Sequence, residues 1–128
     1  MYTKGLRYLE STQKEDGSWS DRTGMEPGVV GLCVMAFLAH GEDPDHGPHA
    51  KTIRRGLDYI IKQQSSSNGY IGSSMYNHGF ATLALAEAYG VVDDERIAKS
   101  LKEAVKLILS AQKRNPRGAW RYSPESPD

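Results

Sequence analysis

Two carboxylate sets, three clustered histidines, one cysteine and one isolated glutamate are the residues that could carry acid–base or metal chemistry in this 128-residue chain. A carboxylic acid held in a tuned environment can act as a general acid, so Asp43-Pro44-Asp45 and Asp93-Asp94 are the first candidates. Both follow an apolar run and sit close to Gly41 or Gly90, where loop and helix-capping roles account for them without further assumption. His40, His46 and His49, with Asp43 and Asp45, form a potential ligand cluster in which His46-x-x-His49 has usable spacing. That loop, rich in Gly and Pro, has no second anchoring pair, and the reading is a solvated turn with no metal bound. Cys33 lies in the middle of an apolar run, the setting of a buried structural thiol. Glu87 is the lone charge inside another apolar run; it faces a lumen or pairs with a basic neighbour.

The strongest candidate for binding is the segment Tyr76-Asn77-His78-Gly79-Phe80-Ala81-Thr82. His78 and Thr82 stand one helical turn apart and so share a face. A helix N-terminus there would favour an anionic group such as a diphosphate. The alternative is that Asn77 caps the helix and His78 packs in the core. Tyr76, His78 and Thr82 are therefore candidate ligand-binding residues; no residue is assigned a catalytic role and no cofactor is expected.

The elements that must position these residues are five helices of two kinds. Helices over residues 2–13, 50–64 and 94–112 carry apolar stripes of Leu6 and Leu9, of Ile53, Leu57, Ile60 and Ile61, and of Ile97, Leu101, Val105 and Ile108. Each stripe ends in a glutamine, with charged residues round the rest, so these helices are amphipathic. The runs 29–39 and 80–89 are apolar nearly all round, and such helices are buried on every side or line an apolar cavity. Alternation of the two kinds predicts an outer layer packed round an inner one. Pro27 suits the first turn of the second helix, Asn77 the cap of the fourth, and Asp93 and Asp94 the start of the fifth. Gly41 and Gly90 stand where a left-handed residue would close the apolar helices. No strand is expected; Gly69-Tyr70-Ile71-Gly72 is too short.

The three amphipathic helices also open three copies of one pattern. Lys4-Gly5-Leu6-Arg7-Tyr8-Leu9 leads through Gln13 to Gly17-Ser18-Trp19. Arg55-Gly56-Leu57-Asp58-Tyr59-Ile60 leads through Gln64 to Gly69-Tyr70-Ile71, and Ala104-Val105-Lys106-Leu107-Ile108 leads through Gln112 to Gly118-Ala119-Trp120. A period of about 50 residues marks stacked supersecondary units, with repeats near 2–48, 49–93 and 94–128 of one partial domain. A glutamine amide, both donor and acceptor, can bridge unsatisfied groups at neighbouring helix ends, and a tryptophan over it would shield those bonds from water.

The first copy fills the QW motif of the terpene cyclases: a basic residue, Gly, two residues, an aromatic, an aliphatic, three residues, Gln, then Gly-x-Trp. The second copy departs with Ile71 for Trp, and the third with Ala104 for Gly, Leu107 for the aromatic and a longer loop. On these motifs, which span nearly the whole chain, the sequence resembles the squalene–hopene cyclase and protein prenyltransferase superfamily. That resemblance implies an all-α fold, an α/α toroid of two concentric helical rings, with Gln13, Gly17, Trp19, Gln64, Gly69, Gln112, Gly118 and Trp120 tying outer helices together and doing no catalysis. It also implies an isoprenoid or lipid ligand in the lumen, with residues 76–84 resembling the start of an inner prenyltransferase helix at the pocket rim. The family's Asp-x-Asp-Asp acid, its Asp/Cys/His zinc set and the thioester of related toroids have no counterpart in this sequence.

Composition narrows the partners. Sixteen basic and sixteen acidic residues cancel, which argues against nucleic acid or an anionic membrane surface. The single cysteine excludes an internal disulfide framework, and no run reaches the roughly 18–20 apolar residues of a membrane span. The N-terminus carries no targeting signal and enters the first copy directly. Ser123-Pro124-Glu125-Ser126-Pro127-Asp128 reads as a loop leading to a further helix, so the chain reads as part of a longer one or as a homo-oligomer whose open ends meet. Three functions stay open on the residues: part of an isoprenoid or triterpene enzyme, a non-catalytic module that binds a lipid, a peptide or its own copies, and a carbohydrate-active toroid, for which no pair of catalytic carboxylates is evident.

Overall fold

The computed structural model describes residues 1–22, 24 and 26–127. They form five helices, α1 (Tyr2–Thr12), α2 (Pro27–Ala39), α3 (Ala50–Gln63), α4 (Met75–Tyr89) and α5 (Glu95–Arg114). Among the described residues there is no strand; one isolated antiparallel bridge joins Gln64 to Ile71. The fold is all-α, as the periodicity requires.

Local chemistry sets the ends. Pro27 opens α2 in its first turn, where the missing N–H costs nothing. Gly41, at φ +84°, closes α2: the Glu42 N–H donates to the Phe37 carbonyl at 3.2 Å and the Gly41 N–H to Leu38 at 3.0 Å. Asp94 caps α5, accepting the Arg96 N–H at 3.0 Å, and the Arg96 guanidinium beside it holds its carboxyl below the usual range.

Three expectations need correction. Helix α4 starts at Met75, several residues before the apolar run, because Ser74 caps it: the Ser74 hydroxyl accepts the Asn77 N–H at 3.2 Å. Asn77 lies inside that first turn and serves another helix, its side-chain oxygen accepting the Gly28 N–H of α2 at 3.0 Å. Gly90 is right-handed, with φ −84°, since the turn continues through Val92 N–H to Ala88 at 2.8 Å and never needs a left-handed residue.

Helices α2 and α4 form the most extensive pairing; α3 packs on α2 and α5 on α4, whereas α1 meets α2 only slightly. Phe37, Val34 and Val30 of α2 meet Ile53 and Ile60 of α3 and Leu85 and Ala81 of α4 in one core that water does not reach. The α2–α4 crossing is close because Gly31 has no side chain: a Cβ there would lie 2.7 Å from the Phe80 carbonyl oxygen. Despite their uniform apolarity, α2 and α4 are not buried on every side. Leu32 of α2, and Tyr76, Phe80 and Leu83 of α4, are exposed.

Candidate functional site

The glutamines of the repeated pattern sit at the ends of α1, α3 and α5. Gln13 is extended (ψ 133°) where α1 stops, so its side chain turns back across the loop that follows. Its amide donates to the Gly17 carbonyl at 3.2 Å and to the Thr52 carbonyl in the first turn of α3 at 2.9 Å. Gln64 repeats this on the next helix pair, donating to Gly69 at 3.0 Å and to Ser100 of α5 at 2.9 Å, while its oxygen accepts the Ser100 hydroxyl at 2.7 Å. Gln112 makes the first bond, to Gly118 at 3.1 Å. No second bond of Gln112 to another helix occurs among the described residues.

The glycines and tryptophans follow the same register. Gly17 (φ +90°) presses on α3 so tightly that a Cβ would lie 2.0 Å from the Arg55 carbonyl oxygen, and a Cβ on Gly69 (φ +79°) would lie 2.7 Å from that of Glu103. Gly118 is left-handed too, φ +65°, but faces open space. The Trp19 indole N–H donates to the Leu9 carbonyl at 2.8 Å and the Trp120 indole to Ile108 at 2.9 Å, so each tryptophan caps the last turns of its own helix. They differ in cover: Trp19 is 4% exposed, lying over α3 near Gly56, and Trp120 is 45% exposed.

At the second joint, where Ile71 replaces tryptophan, a histidine completes the hydrogen bonding. The Ile71 N–H donates to His78 Nδ1 at 3.0 Å, and His78 Nε2 lies 2.9 Å from the Ala104 carbonyl oxygen. An Nδ1 that accepts forces the proton onto Nε2, so His78 is the neutral Nε2–H tautomer bridging the loop and α5. The ring is fully buried, and desolvation pushes its pKa below the usual imidazole value.

This geometry separates the three candidate binding residues. Both His78 nitrogens are engaged by backbone, and the buried Thr82 hydroxyl donates to the His78 carbonyl at 2.6 Å. Tyr76 points elsewhere, its exposed ring 5.4 Å from that of Tyr122. Tyr76, Met75, Trp120, Arg121 and Tyr122 line an open cleft of about 450 Å³. Sequence reasoning placed His78 in the right helix turn but could not distinguish a pocket-facing ring from one turned to the core; the missing tryptophan at Ile71 was the available signal that some other group must finish that joint.

The remaining candidates are dispersed. His40 pairs with Glu42 at 3.0 Å, His46 with Asp43 at 3.7 Å, and His49 Nδ1 lies 3.3 Å from Glu10 without hydrogen-bonding geometry. Asp45 pairs with Arg54, and Asp43 accepts the Asp45 and His46 N–H groups, which keeps its carboxyl ionised below the usual range. Among the described residues no three His, Cys, Asp or Glu side chains stand together as a metal would need. Burial raises the Cys33 thiol to about 11, an inert group. Glu87 is exposed beside Val91 and Leu38. No described helix is long and apolar enough to cross a membrane.

No family model matches the chain. It is similar to lanosterol synthase erg7A of Aspergillus fumigatus, 26% identical over 133 aligned positions that take in 91% of this chain and 16% of that protein. No solved structure matches. The similarity supports the terpene cyclase superfamily and nothing finer, and the chain spans a small fraction of that relative.

One prediction follows from the two glutamine environments. Gln64→Ala costs about 1–3 kcal/mol, because the Ser100 hydroxyl and the Gly69 and Ser100 carbonyls lose a partly buried partner. Gln112→Ala, removing one bond at an open edge, costs less than about 0.5 kcal/mol. Urea titrations of the two variants give the comparison, and equal losses contradict it.

Proposed function

We propose that this chain is a cyclase-like repeat segment of an α/α toroid, with α1, α3 and α5 on the outside and α2 and α4 lining a lumen that takes an isoprenoid or similar lipid. The observation that carries the reading is the set of large apolar residues that α2 and α4 present on the side no other helix covers. Tyr76, Phe80 and Leu83 recur at helical spacing along the open face of α4 before Glu87 ends the strip, and Leu32 of α2 is exposed as well. A core-packed helix with a solvated outer side would carry polar residues there; a contiguous apolar strip marks a site for a lipid or another apolar surface. The glutamine and tryptophan joints keep the role of fasteners between outer helices. Similarity to lanosterol synthase supports the class of ligand.

Farnesol and farnesyl diphosphate test the reading. Both raise the melting temperature, by several degrees at saturation, if the strip binds the hydrocarbon, and Leu83→Lys abolishes the shift by placing a charge on the strip. Because both His78 nitrogens already serve the backbone, the diphosphate gains no special partner there. The absence of any shift with either compound contradicts the lumen assignment.

A further inference from the structure

Helices α1 and α5 carry the same fastening set, yet only α1 uses it on a neighbour. Gln13, Gly17 and Trp19 of the α1 joint correspond to Gln112, Gly118 and Trp120 beyond α5, and the indole caps the equivalent turn in both. The seat that receives the set is the first turns of α3: the Thr52 carbonyl for the glutamine, the Arg55 carbonyl against the glycine, and bare Gly56 under the tryptophan. At the other end the set is complete but unseated, with Gln112 half-bonded, Gly118 facing open space and Trp120 exposed.

The α2–α4 contact shows the same asymmetry. Aligned on Gly31 and Gly79, the two helices match in burial: Val34 with Thr82 and Phe37 with Leu85 inside, Leu32 with Phe80 outside. Gly31 is filled by the backbone of α4 at Phe80, whereas nothing approaches Gly79. The open side of α2, at Leu32, therefore matches the open side of α4, at Gly79, as the two halves of a contact the chain already makes once. The α3 seat beside these halves is held by the α1 joint. Helix α1 is the least anchored helix, with Leu6 its one buried residue, and it holds the α3 seat mainly through its joint.

We propose that α1 is an exchangeable strap, and that a second copy of this chain displaces it: Gln112, Gly118 and Trp120 of one molecule take the α3 seat of the next while Gly79 of α4 packs on Leu32 of α2. Such a contact is heterologous, the same two surfaces recurring head to tail, so it extends into a closed ring or an open stack. The register is set by the seat. An α5 in place of α1 preserves the glutamine bond to the Thr52 carbonyl, gives up the Arg55 guanidinium's bond to the Lys14 carbonyl and the Glu10–His49 pair, and adds the apolar α4–α2 interface that the strap cannot supply.

Sedimentation velocity on the full chain across a concentration series tests this, with Trp19→Ala to loosen the strap. Trp19→Ala lowers the concentration of half-association by about ten-fold or more, and adding Trp120→Ala to it restores a monomer. Should Trp19→Ala unfold by circular dichroism, Gln13→Ala loosens the strap more gently and carries the same pair of expectations. A loosened-strap variant that stays monomeric at several hundred micromolar overturns the proposal. So does association that Trp120→Ala leaves unchanged, since sticking through an unfolded α1 does not need Trp120.

Discussion

Trp19→Ala lowers the unfolding free energy by about 3–5 kcal/mol, and Trp120→Ala by about 1 kcal/mol or less. The two residues occupy the same place in their copies and make the same indole hydrogen bond, to Leu9 and Ile108 respectively. What differs is cover, 4% exposed against 45%. Truncating Trp19 empties a space between the α1 loop and α3 beside Gly56, and a cavity there cannot collapse because Gly17 already presses on the Arg55 carbonyl. Truncating Trp120 removes a ring already half in water. Denaturant melts of the two variants at low protein concentration, where self-association is suppressed, measure the difference; equal losses refute the claim that burial, not the hydrogen bond, dominates.

His78→Ala costs about 2–4 kcal/mol at neutral pH, from a buried void and two stranded backbone groups, the Ile71 N–H and the Ala104 carbonyl. The stability of the native chain is also pH-dependent through this ring. Its folded pKa lies below the unfolded value of about 6.5, so below that pH the unfolded chain binds a proton that the folded chain refuses. Stability from this group is therefore complete above about 6.5 and declines as the pH falls through and below that value. Protonation of Nδ1 would also set two N–H donors, that of Ile71 and that of the ring, against each other. His78→Gln, which stays neutral, flattens the slope of stability between about pH 7 and pH 5 relative to wild type. A slope unchanged by the substitution places the proton elsewhere.

The helices and their two kinds were legible in sequence because the periodicity of apolar residues encodes them locally. The errors were also local in origin. Helix α4 begins earlier than its apolar run since Ser74, a short polar side chain in extended backbone, caps more tightly than the run's own boundary suggests. Asn77 misled because an amide suited to capping can cap any helix within reach, and the one within reach was α2. The opposite fates of Trp19 and Trp120 lay beyond reading, since identical motifs acquire different energies from what stacks on them.

By itself, then, the sequence determined that five helices form and which ones are amphipathic, both consequences of the spacing of apolar residues. Tertiary structure decided the rest: that His78 faces inward as a neutral bridge, that Leu32, Tyr76, Phe80 and Leu83 stay exposed on α2 and α4, and that of three like joints two are seated and one is bare. Those outcomes depend on distances between segments some 25 to 50 residues apart, such as Gly31 to Phe80, Gln64 to Ser100 and His78 to Ala104, and close packing, which no local pattern records, selects among them.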